Sequence, residues 1–188
     1  MGRWEPDARG RLEEAAMALF AERGYEQTTV ADIAERAGLT KRTFFRHYAD
    51  KRDVLFSGSA ALQELIVNAV AAAPDDAPPI EAVAAGLAAA ATALQHRVDI
   101  APRRQRLIAE NSELQERELV KFAVLAAAIA GVLRKRGVEP RAASLAGEAG
   151  MAVLRVGFDE WVTDIEHLDL GTLFRQAFAA LRNVTAGE

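Results

Sequence analysis

Apolar side chains recur along the chain at the three- and four-residue spacing of amphipathic helices. The first such stripe comprises Leu12, Ala15, Ala16, Leu19 and Phe20. It predicts a helix over residues 6–23 that ends at Gly24. Similar patterns predict further helices over residues 51–73, 79–98, 102–110, 112–136, 140–164 and 172–184. No segment alternates strictly between apolar and polar residues, so the sequence predicts an all-α fold.

Two short helices are predicted between the first helix and the long helix over 51–73. Thr29 begins a capping box, which predicts a helix over residues 30–37. Gly38 breaks that helix, and Thr40 is the N-cap of the next one, over residues 41–48. Two short helices joined by a tight turn are typical of a helix-turn-helix, although simple packing in any helical protein would leave the same pattern.

The second short helix carries charges that oppose its own dipole. Helix N-termini disfavour cations by about 0.3–1 kcal/mol each, yet Lys41 and Arg42 occupy the first turn. Cations that oppose the helix dipole without any gain in stability indicate a functional position. On the helical wheel Phe44 and Tyr48 face the interior, whereas Arg42 and Arg46 lie opposite. Because the guanidinium fork fits the O6 and N7 acceptors of guanine, the pattern predicts a helix that enters the major groove of DNA.

Charge distribution supports this prediction although the net charge of the chain is −4. Residues 38–52 include five basic residues and one acidic residue, so this segment carries +4 and the rest of the chain carries −8. A cationic patch on an otherwise acidic protein is the charge distribution expected of a nucleic-acid-binding surface.

The composition argues against several other classes of protein. Apolar residues make up 51% of the 188 residues, which is typical of a globular chain. There is no cysteine, and the three histidines lie far apart, so neither a metal site nor a cofactor is predicted. The N-terminus lacks the apolar region of a signal peptide. No nucleophile–base pair or glycine-rich phosphate loop indicates an enzyme.

The longest uncharged apolar stretches also argue against a membrane protein. They cover residues 82–94 and 122–133, and both are shorter than the roughly 20 residues that a membrane span needs. A soluble cytoplasmic protein is therefore predicted. Because the stretch over 122–133 is apolar on every side, it is expected to be buried all round.

Five short stretches near the N-terminus carry a resemblance to a known family. They are residues 18–25, 28–34, 37–40, 43–48 and 50–51. From about residue 9 to residue 55 the chain resembles the DNA-binding domain of TetR-family regulators. The resemblance implies a helix-turn-helix domain over residues 1–50, joined by a long helix to a helical bundle within residues 51–188. That bundle is expected to bind an effector and to form a dimer.

The resemblance also implies roles for individual side chains. Base-reading positions are matched by Lys41, Arg42 and Phe45. Positions that contact the DNA backbone are matched by Thr43, His47 and Lys51. The predicted DNA-binding set also includes Thr29, Thr40 and Arg46. Phe45 stands where the family often has tyrosine, so only an apolar contact, for example with a thymine methyl group, is expected of it. The alternatives are a core aromatic for Phe45, a packing residue for His47 and a solvated charge for Lys51.

Candidate effector-binding residues occur in the second half of the chain. Phe122, Phe158 and Trp161 either line a pocket or belong to an ordinary core. Arg103 and Arg104 either meet an anionic group or form a solvated face. The segment that contains these five residues resembles regulators that bind acyl-CoA-like ligands. The alanine, leucine and phenylalanine residues available to line a cavity predict a small, mainly apolar effector.

Small residues recur along the helix predicted over 140–164. Ala143, Gly150 and Gly157 are spaced by seven, and Gly147 lies one turn from Gly150. Each interior glycine costs about 1 kcal/mol relative to alanine, so a close helix–helix approach is expected, either within one chain or between two. The family resemblance favours the second possibility and places these four residues in a homodimer interface.

The sequence therefore predicts a homodimeric repressor that binds a near-palindromic DNA operator and is released by a small apolar ligand. An activator, a regulator without an effector and a helical adaptor that has lost DNA binding remain alternatives.

Overall fold

The computed structural model describes residues 7–163 and 169–186, and all regular structure within those ranges is helical. The helices are α1 (Ala8–Arg23), α2 (Val30–Arg36), α3 (Lys41–His47), α4 (Lys51–Leu55), α5 (Ser59–Ala71), α6 (Pro79–Leu94), α7 (Ala101–Glu110), α8 (Ser112–Lys135), α9 (Pro140–Thr163) and α10 (Leu170–Ala186). A short 3-10 turn, Gln95–Arg97, follows α6. The all-α prediction is confirmed. In the described ranges no helix is long and apolar enough to cross a membrane.

The single helix predicted over residues 51–73 is two helices. α4 ends at Leu55 and α5 begins only at Ser59. Between them Gly58 has a φ of 80°, in the left-handed region that glycine adopts without a steric penalty. The expectation of one continuous connecting helix is therefore wrong. The apolar periodicity continues through the break, so the pattern did not reveal it.

The chain divides into two compact units. The first comprises Met1–Ser59 with Arg103–Gln115, and the second comprises Ala60–Pro102 with Glu116–Glu188. This division differs from the domain boundary predicted at residue 50. The first unit extends nine residues further along the chain than that boundary and includes most of α7 and the first turn of α8.

The core of the first unit is built around α1. All five residues of the predicted apolar stripe on this helix are buried, as expected. Phe44 of α3 is completely buried in the same core. Ile108 and Leu114, which are about sixty residues further along the chain, also belong to it, with exposures of 2% and 0%. The core of the first unit therefore depends on a segment that the sequence assigned to the other domain.

The core of the second unit is formed by α6, α8, α9 and α10 together with the inner face of α5. On α8, Leu125 and Ile129 are buried, but Ala123 and Ala127 are exposed and Val124 is 51% exposed. The expectation that residues 122–133 are buried on every side is therefore wrong for this chain. Alanine and valine occupy the outer face of the helix as well as the inner one, so hydrophobicity alone did not distinguish the two faces.

The glycines of α9 permit close approach within one chain. A Cβ atom added to Gly147 would lie 2.6 Å from the carbonyl oxygen of Ala126. Cβ atoms added to Gly150 and Gly157 would lie 2.5 Å and 2.6 Å from the side chains of Val83 and Phe174.

The close approach expected from the glycine spacing is thus present, but its partners are α8, α6 and α10 of the same chain. Ala143, Gly147, Gly150 and Gly157 are all buried. The structure therefore corrects their assignment to a face between two copies.

Candidate nucleic-acid interface

Side-chain caps set the ends of α2 and α3. The hydroxyl of Thr29 accepts a hydrogen bond from the backbone N–H of Asp32 at 3.2 Å, and the carboxylate of Asp32 accepts one from the backbone N–H of Thr29 at 2.9 Å. At α3 the hydroxyl of Thr40 accepts from the backbone N–H of Thr43 at 3.1 Å. Gly38, between the two helices, has a φ of 66°. The predicted helix-turn-helix is confirmed, with both of its N-caps.

The capping box leaves Thr29 with no hydroxyl proton for DNA. Its single O–H donates to Asp32 at 2.7 Å. Hydrogen bonds from the side chain and then the backbone of Thr29 lower the pKa of Asp32, so the acceptor stays charged. Thr40 differs, because its hydroxyl oxygen lies 3.0 Å from that of Thr43 and only one of the two can donate to the other. One hydroxyl proton of this pair remains available to a phosphate oxygen.

The outer face of α3 is cationic and contains one exposed aromatic ring. Lys41, Arg42, Arg46 and His47 are exposed, and Phe45 is 56% exposed. Phe44 and Tyr48 are buried on the opposite side, as the helical wheel predicted. Phe45 is therefore not a core aromatic, and the side chains predicted to read bases share one solvent-facing surface.

The cations of this face form no ion pairs in the described part of the chain, although Lys41 contributes, after Thr29, to the lowered pKa of Asp32. Among the residues that the structure describes, no carboxylate lies within ion-pair distance of Lys41, Arg42 or Arg46. Arg52 differs, because its guanidinium lies 2.6 Å from Asp50. Asp50 is already subtracted in the +4 counted from the sequence, so this ion pair leaves the count unchanged. Three of the four remaining cations lie on α3, and the fourth is Lys51.

Lys51 holds protein carbonyl groups together, which corrects the prediction that it contacts the DNA backbone. Its ammonium group donates to the backbone oxygens of Tyr25 at 2.8 Å, Thr28 at 3.2 Å and Glu26 at 3.4 Å. It also lies 4.1 Å from the centre of the Tyr25 ring. An ammonium has three donors, and all three are used here. Lys51 therefore fixes the turn between α1 and α2 against the start of α4.

A polar network that the sequence did not indicate supports the C-terminal end of α3. The hydroxyl of Tyr48 donates to the carboxylate of Glu13 at 2.8 Å, and the hydroxyl of Ser57 donates to the same oxygen. Arg9 donates to the hydroxyl of Ser57 at 3.0 and 3.1 Å. Burial is the main cause that raises the pKa of Tyr48. These partners lie far apart in sequence, so no local pattern could reveal the network.

The candidate effector residues fall in both units. In the first unit Arg103 is exposed, whereas Arg104 donates to the backbone oxygen of Leu55 at 3.1 Å and lies 5.0 Å from the ring centre of Phe56. Arg104 therefore stabilises the fold of the first unit.

In the second unit Trp161 is 3% exposed, and its ring centre lies 5.5 Å from that of Phe158. Phe122 is partly buried against the same core. These contacts fit ordinary core packing, and an effector-binding role for the three aromatic residues stays a prediction.

Family models match both parts of the chain. Residues 12–57 match the model described as bacterial regulatory proteins, tetR family, and residues 77–186 match the MftR C-terminal domain. The HTH-type transcriptional regulator TcmR of Streptomyces glaucescens is 39% identical over 75 residues, which are 40% of this chain and 33% of TcmR. The HTH-type transcriptional repressor KstR2 of Mycobacterium tuberculosis is 47% identical over 47 residues, 25% of this chain and 24% of KstR2. The matched part thus spans a third or less of these relatives.

A solved structure extends the similarity to nearly the whole chain. The TetR-family repressor FadR of Thermus thermophilus, solved in complex with lauroyl-CoA, is 26% identical. The similarity covers 93% of each chain, with a TM-score of 0.56. The second family model alone matches more than half of the 188 residues. The chain therefore belongs to the tetR family of bacterial regulatory proteins, which are DNA-binding transcriptional regulators and not enzymes.

Proposed function

We propose that this protein is a repressor that binds a near-palindromic operator as a homodimer and inserts α3 into the major groove. The observation that carries the proposal is the outer face of α3, where three unpaired cations surround an exposed phenylalanine. The name of KstR2 as a repressor supports the direction of regulation.

The side chains of this face suit two different tasks. Arg42 and Arg46 carry the bidentate donors that discriminate guanine from other bases. One of the two hydroxyl protons of Thr40 and Thr43 remains available to a phosphate oxygen. His47 is exposed at the C-terminal turn of α3. Contacts to phosphate set the position of the protein on DNA, and contacts to base edges set its sequence preference.

Selection of binding sites from random DNA tests this part of the proposal. We expect a near-palindrome whose half-site centres lie about 34–36 Å apart or at a multiple of that distance, because two-fold symmetry of the protein is matched by the DNA. An asymmetric single site would contradict the homodimer. A reporter gene downstream of the selected site then measures the sign of regulation, and increased expression would contradict the repressor.

Exposed apolar residues on α9 and α10 support a dimer face different from the glycine positions. Leu145 and Val156 of α9 are 65% and 53% exposed, and Val184 of α10 is 79% exposed. Ala149 and Ala152 lie between the two α9 residues at helical spacing, which makes a continuous apolar stripe. Burial of this stripe against the same stripe of a second copy would give a symmetric interface.

A charge placed on this stripe tests the proposed interface. Leu145→Glu is expected to give monomers in sedimentation velocity, because the symmetric contact would bury two carboxylates, one from each copy. Val124→Glu on α8 is the matched control, since Val124 is 51% exposed but lies outside the stripe. A Leu145→Glu variant that stays dimeric would contradict the proposed interface.

The proposed effector is a small, mainly apolar molecule. The lauroyl-CoA complex of Thermus thermophilus FadR supports this chemistry. An effector weakens operator binding only by its differential affinity for the free and DNA-bound conformations, and a hundredfold loss needs about 2.7 kcal/mol of coupling. By reciprocity, operator DNA must weaken effector binding by the same factor.

A thermal-shift screen with acyl-CoA thioesters of several chain lengths tests the effector, followed by measurement of operator affinity with each hit. We expect hits that raise the melting temperature and also release DNA. Hits that stabilise the protein but leave operator affinity unchanged would contradict a ligand-released repressor.

A further inference from the structure

Phe45 is an exposed apolar ring on an otherwise cationic surface. The side chain is 56% exposed, and Arg42 and Arg46 on the same surface are also exposed. Its ring meets Phe44 edge-on, with the ring centres 5.5 Å apart and an interplanar angle of 82°. Because Phe44 is completely buried, this contact anchors the exposed ring to the core. Single exposed apolar side chains are common on protein surfaces, but this one lies on the surface proposed to meet base edges.

The chemistry of Phe45 restricts what it can recognise. A phenyl ring has no donor or acceptor, so it forms no hydrogen bond with a phosphate oxygen or with a polar base edge. The major groove presents one apolar group, the C5-methyl group of thymine. We infer that Phe45 determines specificity by making each operator half-site depend on a thymine methyl group. The inference rests on the proposed function of α3.

The helix geometry indicates where that thymine lies. Phe45 directly precedes Arg46 in sequence, and their neighbouring α-carbons lie about 3.8 Å apart, close to one base-pair step of about 3.4 Å. The critical thymine is therefore expected at, or next to, the base pair that Arg46 contacts.

Replacement of thymine by deoxyuracil removes only the methyl group and tests the inference on the selected operator. Each thymine is replaced singly, and dissociation constants are measured for every DNA. A critical thymine replaced in only one half-site is expected to weaken binding by about fourfold, from the transfer free energy of one buried methyl group. The same replacement in both half-sites is expected to weaken binding by roughly fifteenfold.

Protein variants connect the lost methyl group to Phe45. Phe45→Ala is expected to bind the thymine and deoxyuracil operators equally, because the apolar partner is gone. Phe45→Tyr keeps the ring and should keep the discrimination. Arg42→Ala is the matched control on the same surface and should also keep it. Thermal denaturation checks that each variant is folded, and Phe45→Ala is expected to be folded because the side chain it shortens is exposed.

The outcomes separate this inference from the proposed function. An operator without any uracil-sensitive position, or a Phe45→Ala variant that still discriminates fourfold, would overturn the inference while leaving DNA binding intact. A selection that enriches no DNA sequence would overturn both. Discrimination that disappears in Phe45→Ala and persists in Arg42→Ala is the result we expect.

Discussion

Replacement of Gly147 by alanine should destabilise the protein through a contact inside one chain. The new Cβ would lie 2.6 Å from the carbonyl oxygen of Ala126, whereas ordinary contacts begin at 3.4 Å, so α8 and α9 must separate by 0.8 Å. The obstructing atom belongs to the backbone and cannot rotate away. Overpacking costs about 1–3 kcal/mol, and the better helix propensity of alanine returns about 1 kcal/mol. Because a backbone atom obstructs the new Cβ, the overpacking cost lies in the upper half of its range, and we expect a net loss of about 1–2 kcal/mol in the free energy of unfolding.

Gly131 of α8 provides the matched control, because a Cβ added there meets nothing closer than the guanidinium of Arg134 at 3.8 Å. Gly131→Ala should therefore stabilise the protein by about 0.5–1 kcal/mol. Urea denaturation at several protein concentrations measures both variants, and sedimentation velocity measures their association. Gly147→Ala should lose stability without losing the dimer. A Gly147→Ala variant as stable as the wild type, or one that becomes monomeric while its fold is unaffected, would refute the reasoning.

Three further predictions concern the first unit. Lys51→Ala should lower the melting temperature of the protein, because three carbonyl oxygens lose their hydrogen-bond donor. The same variant should leave the salt dependence of DNA binding unchanged. A plot of log affinity against log salt whose slope is flattened by about 0.9 would instead indicate that Lys51 contacts a phosphate. Tyr25→Phe should be neutral or stabilise by about 1 kcal/mol in thermal denaturation, because the hydroxyl is buried with no partner in the described part of the chain. Burial raises the pKa of Tyr25 from 10.0 to about 12, so the unfolded chain loses the phenol proton at a lower pH than the folded chain does. Stability should therefore fall as the pH rises from about 10 to about 12, and it should fall less steeply in Tyr25→Phe. Arg42→Ala and Arg46→Ala should each relax base preference at one operator position by about 1–3 kcal/mol, as measured with singly substituted operators, and a collapsed melting temperature in either variant would contradict its exposed position.

Local interactions explain why the N-terminal elements could be predicted from the sequence. Thr29, Thr40 and Asp50 cap helices through partners three residues away, so their roles can be predicted from a few neighbouring residues. The two faces of α3 follow from the same short-range geometry, since a seven-residue helix has only two turns. The helix-turn-helix and its exposed cations were therefore predictable.

Long-range contacts explain what the sequence did not reveal. Lys51 binds carbonyl groups more than twenty residues away, and Tyr48 binds Glu13 across 35 residues. The glycine spacing of α9 identified a face of close approach but not the helices that cover it, so the partners in the same chain were missed. The break at Gly58 was hidden because flanking apolar residues preserve the helical period.

The most direct test of the central claim is the affinity of the Arg42→Ala, Arg46→Ala double variant for the selected operator. It is compared with the wild type and with Arg141→Ala, which removes an exposed arginine from α9. If α3 reads the operator, the double variant should lose most of its preference for the operator over unrelated DNA while its melting temperature stays unchanged, and Arg141→Ala should behave as the wild type. A double variant that keeps the full preference would contradict the claim that this face of α3 recognises DNA.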